Sequence, residues 1–228
     1  MNAKRAILGT TGCLVLAVLT VVAAQEPPDK GTLATQIAEG RKQNQMMLRE
    51  YTWNTRTEVK IDGEVKSVKV DLVRFTPEGE LQKTKISDSA DGEKKPRGVK
   101  GKVASKKIKG MQEWAADLKE LLQKYSLRTA GSLLDFMDEA TVERNGQLAT
   151  LVASDVVQQA DKMTVLVDSA SRQVKMIEVS TSLDGDDVDV EILNESLDNG
   201  PTYSARQIVK VPAQKVELTI ENFNYQRQ

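Results

Sequence analysis

The sequence predicts an α+β fold: one strongly curved antiparallel sheet of about ten strands, its concave face covered by two to three helices. Two observations carry this. Short runs alternate apolar and polar residues with turn signals between them, in one block before the middle of the chain and a longer one after it. Before the first block, and between the two, the apolar period becomes that of a helix.

In chain order, "QEPPDKG" at 25–31 reads as a linker. A helix is expected from Thr32, its cap, to about Glu50, with Leu33, Ile37, Asn44, Leu48 and Tyr51 at near-helical steps and Met47 beside them. Its face is only moderately apolar. In "YTWNTRTEVKI", Tyr51, Trp53, Thr55, Thr57, Val59 and Ile61 alternate with polar residues, and Asp62-Gly63 is a two-residue hairpin signal. The return strand puts Val68, Val70 and Leu72 on one, dry side and Ser67, Lys69 and Asp71 on the other. "TPEG" turns into a third strand, "ELQKTKI". After a basic stretch, Met111, Trp114, Ala115, Leu118, Leu121, Leu122 and Tyr125 form a continuous apolar stripe, the strongest helix signal in the chain. A short helix holds Leu133, Leu134, Phe136 and Met137, with Ser132 or Thr129 at its start. From Thr141 onward strands and turns recur: "LATLVASDVVQQA", "KMTVLVD", "VKMIEVSTSL", "VDVEIL", "SARQIVKV" and "QKVELTIENFNY".

The first residues have the layout of a secretory signal peptide. Lys4 and Arg5 form a basic start, an apolar run extends from Leu14 to Val22, and Val22 and Ala24 precede a cleavage site before Gln25. The run is shorter than the roughly 20 residues that span a bilayer, which disfavours a retained anchor. A lipoprotein reading through Cys13 is rejected, because Thr10 stands where leucine is expected. Loss of residues 1–24 leaves 25–228 as a single domain, exported to the periplasm or secreted, that has lost the chain's only cysteine.

With no histidine in the chain and no cysteine after the leader, histidine-based bases, Ser-His-Asp and Cys-His arrangements and His/Cys zinc sites are excluded. Phosphate-loop, dinucleotide and nucleophile-elbow motifs are missing. No enzymatic activity, cofactor or metal is therefore expected; a catalyst built on carboxylates would need two acids converging in a cleft. "LDGDDVDVE" at 183–191 is rich in acids but lacks calcium-loop spacing. Asp184-Gly185 reads instead as a hairpin, with Asp187, Asp189 and Glu191 facing water opposite Val188, Val190 and Ile192.

The stretch "GEKKPRGVKGKVASKKIKG" carries Lys94, Lys95, Arg97, Lys100, Lys102, Lys106, Lys107 and Lys109. The chain's formal net charge is −1, so the rest is acidic. No aromatic residue is interleaved, so a nucleic-acid partner is not expected. A mobile basic loop at about 88–109 remains, able to meet an anionic membrane surface or an envelope protein.

The stretches "LREYTWNTRTEVKIDGEVKSVKVDLVRF", "SASRQVKMIEVSTSLDGD" and "VELTIENFNY", and the order of elements, resemble the LolA-like, outer-membrane lipoprotein-sorting group of exported bacterial proteins, in particular an uncharacterised subgroup. The resemblance implies an incomplete β-barrel with helices over its mouth and an apolar interior for acyl chains. In the carrier an inward arginine bonds to the lid helices; the strand arginines of this chain are Arg56 and Arg74.

Taken with the apolar stripe, the expected function is that of an exported, non-enzymatic protein holding a lipid or other amphiphile in its curved sheet, in envelope lipid or lipoprotein trafficking. The expected cavity and lid residues are Trp53, Val68, Val70, Leu72, Met111, Trp114, Leu118, Leu121, Leu122 and Met137. Met46, Met47, Met163 and Met176 are further lining candidates. The alternative is an envelope interaction module whose sheet is solidly packed and holds no ligand.

Overall fold

The computed structural model describes residues 30–90, 113–127 and 130–228. Within them ten strands form one antiparallel sheet: β1 (Tyr51–Ile61), β2 (Glu64–Phe75), β3 (Leu81–Ala90), β4 (Thr141–Asn145), β5 (Leu148–Ser154), β6 (Lys162–Asp168), β7 (Gln173–Leu183), β8 (Asp186–Ser196), β9 (Thr202–Val211) and β10 (Val216–Arg227). Their order across the sheet is β3-β2-β1-β10-β9-β8-β7-β6-β5-β4. The expected α+β curved sheet is formed and does not close into a barrel; β3 and β4 are its free edges. Three helices accompany it: α1 (Lys30–Leu48), α2 (113–124) and α3 (Ala130–Glu139).

Local turn chemistry sets the hairpins. Asp62 and Gly63 both take positive φ (55° and 79°), as do Asp184 and Gly185 (54° and 89°). Such turns match the right-handed twist of the strands they join. The acidic run after Asp184 is thus a hairpin: Val188 and Val190 are buried, while Asp187, Asp189 and Glu191 are exposed. The long-range closure lies elsewhere. β1 pairs with β10 from Tyr51↔Arg227 to Ile61↔Val216, which joins the first strand block to the last.

Several boundaries shift from the sequence reading. α1 starts at Lys30, so Thr32 lies inside it rather than capping it. α3 starts at Ala130, which likewise puts Ser132 inside the helix. β5 stops at Ser154, because residues 155–161 fold into a loop around the Asp161 carboxylate. β3 extends to Ala90, into the start of the expected basic loop. The rest of that loop, the expected leader at 1–24 and Met111 lie outside the described residues.

In β2 the inner and outer faces are the reverse of the expectation. β2 pairs Trp53 with Val73 and Thr55 with Asp71, so the odd residues of β2 share the inward face of Trp53. Asp71 and Val73 are buried there, whereas Leu72 is 37% exposed on the outer face with half-buried Val68 and Val70. Alternation alone reports that a strand has two faces; register decides which is inside.

On the outer face, Arg56, Glu58, Lys60, Glu217 and Glu221 form a ladder of ion pairs across β1 and β10. Glu58 is buried within it. Burial opposes its charge, yet its contacts with Arg56 and Lys60 hold its carboxyl below the ordinary range.

The main core lies between α2, α3 and the inward residues of β5 to β9. It contains Leu118, Leu121, Leu133, Phe136, Met137, Leu151, Met163, Val165, Val179, Val188 and Val211. α1 packs along α3 and adds Ala34 and Ile37 to it.

Candidate functional site: the cleft under the first helix

The strong apolar stripe of α2 is spent on packing. Leu118 and Leu121 are buried, and Trp114 and Leu122 pack on the same cluster. Tyr125, just after α2, is locked by a buried polar knot. Its hydroxyl donates to Asp161 Oδ2 at 2.6 Å and lies 2.7 Å from Thr181 Oγ1. Asp161 also accepts the backbone N–H groups of Val156, Val157 and Gln158 at 2.6–2.9 Å. Burial works to raise the Asp161 pKa, but these donors together hold it below its ordinary value. Burial, and then the bond to Asp161, push the Tyr125 phenol the other way, far above its ordinary range.

α1 behaves differently, because its sequence places few apolar groups toward the sheet beyond Ile37. Gly40 has nothing within 4 Å of where a Cβ would stand. Asn44 grips the sheet instead: its Nδ2 donates to the Thr202 carbonyl and its Oδ1 accepts the Thr202 N–H, both at 2.6 Å. β9 pairs with β10 only from Arg206 to Val211, so Thr202 has backbone groups free on that side for the asparagine. Further along, Arg41 donates from Nη1 to the Leu127 carbonyl and ties α1 to the segment after α2.

Held at these points, α1 stands off the sheet and encloses a cleft of about 690 Å³ over β7, β8 and β9. The sheet supplies an apolar floor of Val174, Ile177 and Ile192, and α1 faces it with Ile37, Met47 and Leu48. Polar groups gather around these: Gln36, Arg41 and Asn44 from the helix, Arg172 and Gln173 from the β6–β7 turn, and Asn194 and Ser204 from the strands. The volume lies in the range of small-molecule sites, roughly 300–1,000 Å³, and most of the residues that line it are polar. Glu39 is its one acid among the described residues. Those residues also contain no cluster of acids suited to a metal ion. No described helix is long and apolar enough to cross a membrane.

Of the described residues expected from sequence to line a cavity, none is among those around this cleft apart from the further candidate Met47. Leu118, Leu121 and Met137 are buried in the main core, with Trp114 and Leu122 packed on it. Met163 is fully buried there too, while Met46 is exposed and Met176 half-buried. Trp53 is buried in a separate aromatic line with Phe75, Tyr225 and Tyr203, the rings 4.2–5.8 Å apart in succession. Arg56 and Arg74, the two strand arginines singled out from sequence, are engaged elsewhere: Arg56 joins the outer ion-pair ladder and Arg74 donates to Gln82. The basic residues from Lys94 to Lys109 lie outside the described residues. Arg41, Asn44 and Arg172 were not anticipated, and the one available signal was the weak apolar stripe of α1.

No family model and no curated protein matches the chain. Solved structures similar to it include the following three. A putative outer membrane lipoprotein-sorting protein domain from Vibrio parahaemolyticus is 9% identical, with 87% of this chain and 93% of that one covered, at a TM-score of 0.40. A DUF1329 family protein from Desulfovibrio piger is 9% identical over 87% and 92%, at 0.38. A LolA superfamily protein from Nitrosomonas europaea is 11% identical over 86% and 93%, at 0.35.

Proposed function

We propose that the chain is an exported, non-enzymatic protein that holds a lipid or other amphiphile between α1 and the concave face of its sheet, in envelope lipid or lipoprotein trafficking. The cleft of about 690 Å³ over Val174, Ile177 and Ile192 carries this reading. An acyl chain laid on that floor would remove apolar surface from water at about 25 cal/mol per Å². The polar groups around it would keep a head group solvated or hydrogen-bonded. Export rests on the leader-like residues 1–24.

Native mass spectrometry of protein purified from its own host, paired with lipid extraction, tests the reading. A bound amphiphile of defined mass is expected. Protein that is always empty, and takes up no amphiphile when offered one, would remove this function and leave the interaction-module alternative.

A further inference from the structure

Resting on the reading of the cleft as an amphiphile site, we infer that the amphiphile it takes is anionic, with a carboxylate or phosphate head group bound by the guanidinium groups of Arg41 and Arg172. Arg41 is half-buried beneath α1 and makes one hydrogen bond, to the Leu127 carbonyl. Among the described residues no carboxylate pairs with it. A cation withdrawn from water without a counter-charge is costly, and buried charges are ordinarily paired. Desolvation accordingly lowers the Arg41 pKa, with no opposing contribution from an acid. The guanidinium fork keeps further N–H donors to offer, in the planar geometry that suits a carboxylate or phosphate.

Arg172 is the second cation of the same cleft. It sits at positive φ (57°) in the β6–β7 turn and has no hydrogen-bond or ion-pair partner among the described residues. Gln36 adds a third unused polar group, since its Oε1 is buried without a donor. Turning that amide over would offer an NH₂ donor instead. Against these stands Glu39, exposed on α1, so the charged side chains of the lining sum to one net positive charge. The apolar floor and the two arginines together describe a ligand with a tail and an oxyanion.

The probes are oleate, the lysophosphatidic acid with the same chain, and oleyl alcohol as the neutral match; inorganic phosphate and acetate stand for the head groups alone. Binding to the full chain without its leader is followed by calorimetry below the critical micelle concentration. At least one anionic amphiphile should bind about tenfold or more tightly than oleyl alcohol, the difference expected of one charge-assisted contact. Whether oleate or the phosphate wins identifies the head group, and the free anions should bind far more weakly than either. Arg172→Gln, on an exposed turn that leaves the fold alone, should reduce that preference about tenfold. Arg41→Gln should do the same, with circular dichroism checking its fold. Equal affinity for oleate and oleyl alcohol, or a preference untouched by Arg172→Gln, overturns the head-group assignment while leaving an amphiphile site. Binding of none of the three amphiphiles would instead overturn the amphiphile reading itself.

Discussion

Two of the helices that face the sheet, α2 and α1, treat it in opposite ways. α2 sets down Leu118, Leu121 and Tyr125, and the surface beneath it becomes continuous core. α1 sets down Ala34 and Ile37 near α3, then offers Gly40, Arg41 and Asn44 where further apolar groups would have filled the gap. α2 is held by apolar packing, whereas α1 is held by a few hydrogen bonds that keep it at a distance. A continuous apolar stripe marks an interior that is already full. An opening is marked by a stripe that fails partway along a helix.

This contrast can be broken from either side. On the packed side, Met163→Ala empties a fully buried site and should cost about 2–5 kcal/mol in urea unfolding without changing cleft binding. Loss of binding in a variant that still folds would show that the two regions are not separate. Tyr125→Phe removes a hydrogen bond to the Asp161 carboxylate and should cost about 1.5–3 kcal/mol by the same measurement. Asp161 also gives this side an acid dependence. Its folded pKa lies below the ordinary value of 3.8, so its contribution is full above that pH and is lost as the pH falls through the folded pKa. Asp161→Asn should therefore flatten the acid limb of a stability–pH curve, and an unchanged limb would dismiss the knot as its source.

On the open side the effects on stability are smaller and those on binding larger. Asn44→Ala removes both bonds to Thr202 and should cost about 1–2 kcal/mol, with faster amide exchange in α1 than in α2. Gly40→Ala should stabilise the protein by about 0.5–1 kcal/mol, since an open helical position loses its glycine and the new methyl meets nothing. A further effect, on surface binding rather than stability, concerns the basic stretch. Neutralising Lys106, Lys107 and Lys109 should weaken binding to anionic liposomes in a salt-dependent way, at about 1 kcal/mol per lysine. Undiminished binding would end that proposal.

Much of the architecture is legible in the chain because its causes are local. Asp62-Gly63 and Asp184-Gly185 announce their hairpins, and the valines of β8 announce their buried face. The pairing of β1 with β10 is not legible, because no local period reports which distant strand completes a sheet. The same blindness inverted β2: Val68, Val70 and Leu72 look like an inner face until Thr55 is known to stand opposite Asp71. The cleft is not legible for a related reason. Trp114 and its stripe attracted the lid assignment by being apolar, whereas the cleft depends on Gly40, Arg41 and Asn44, which read in isolation as an ordinary wet helix.

The most direct measurement is therefore made at Gly40. Wild type and Gly40→Trp, both purified from the native host and shown to be equally folded, are compared by native mass spectrometry. With the ligand held beneath α1, the wild type carries an amphiphile and the tryptophan variant, its cleft filled, is empty. A Gly40→Trp protein carrying the same ligand in the same proportion would place the ligand elsewhere and contradict the cleft as its site.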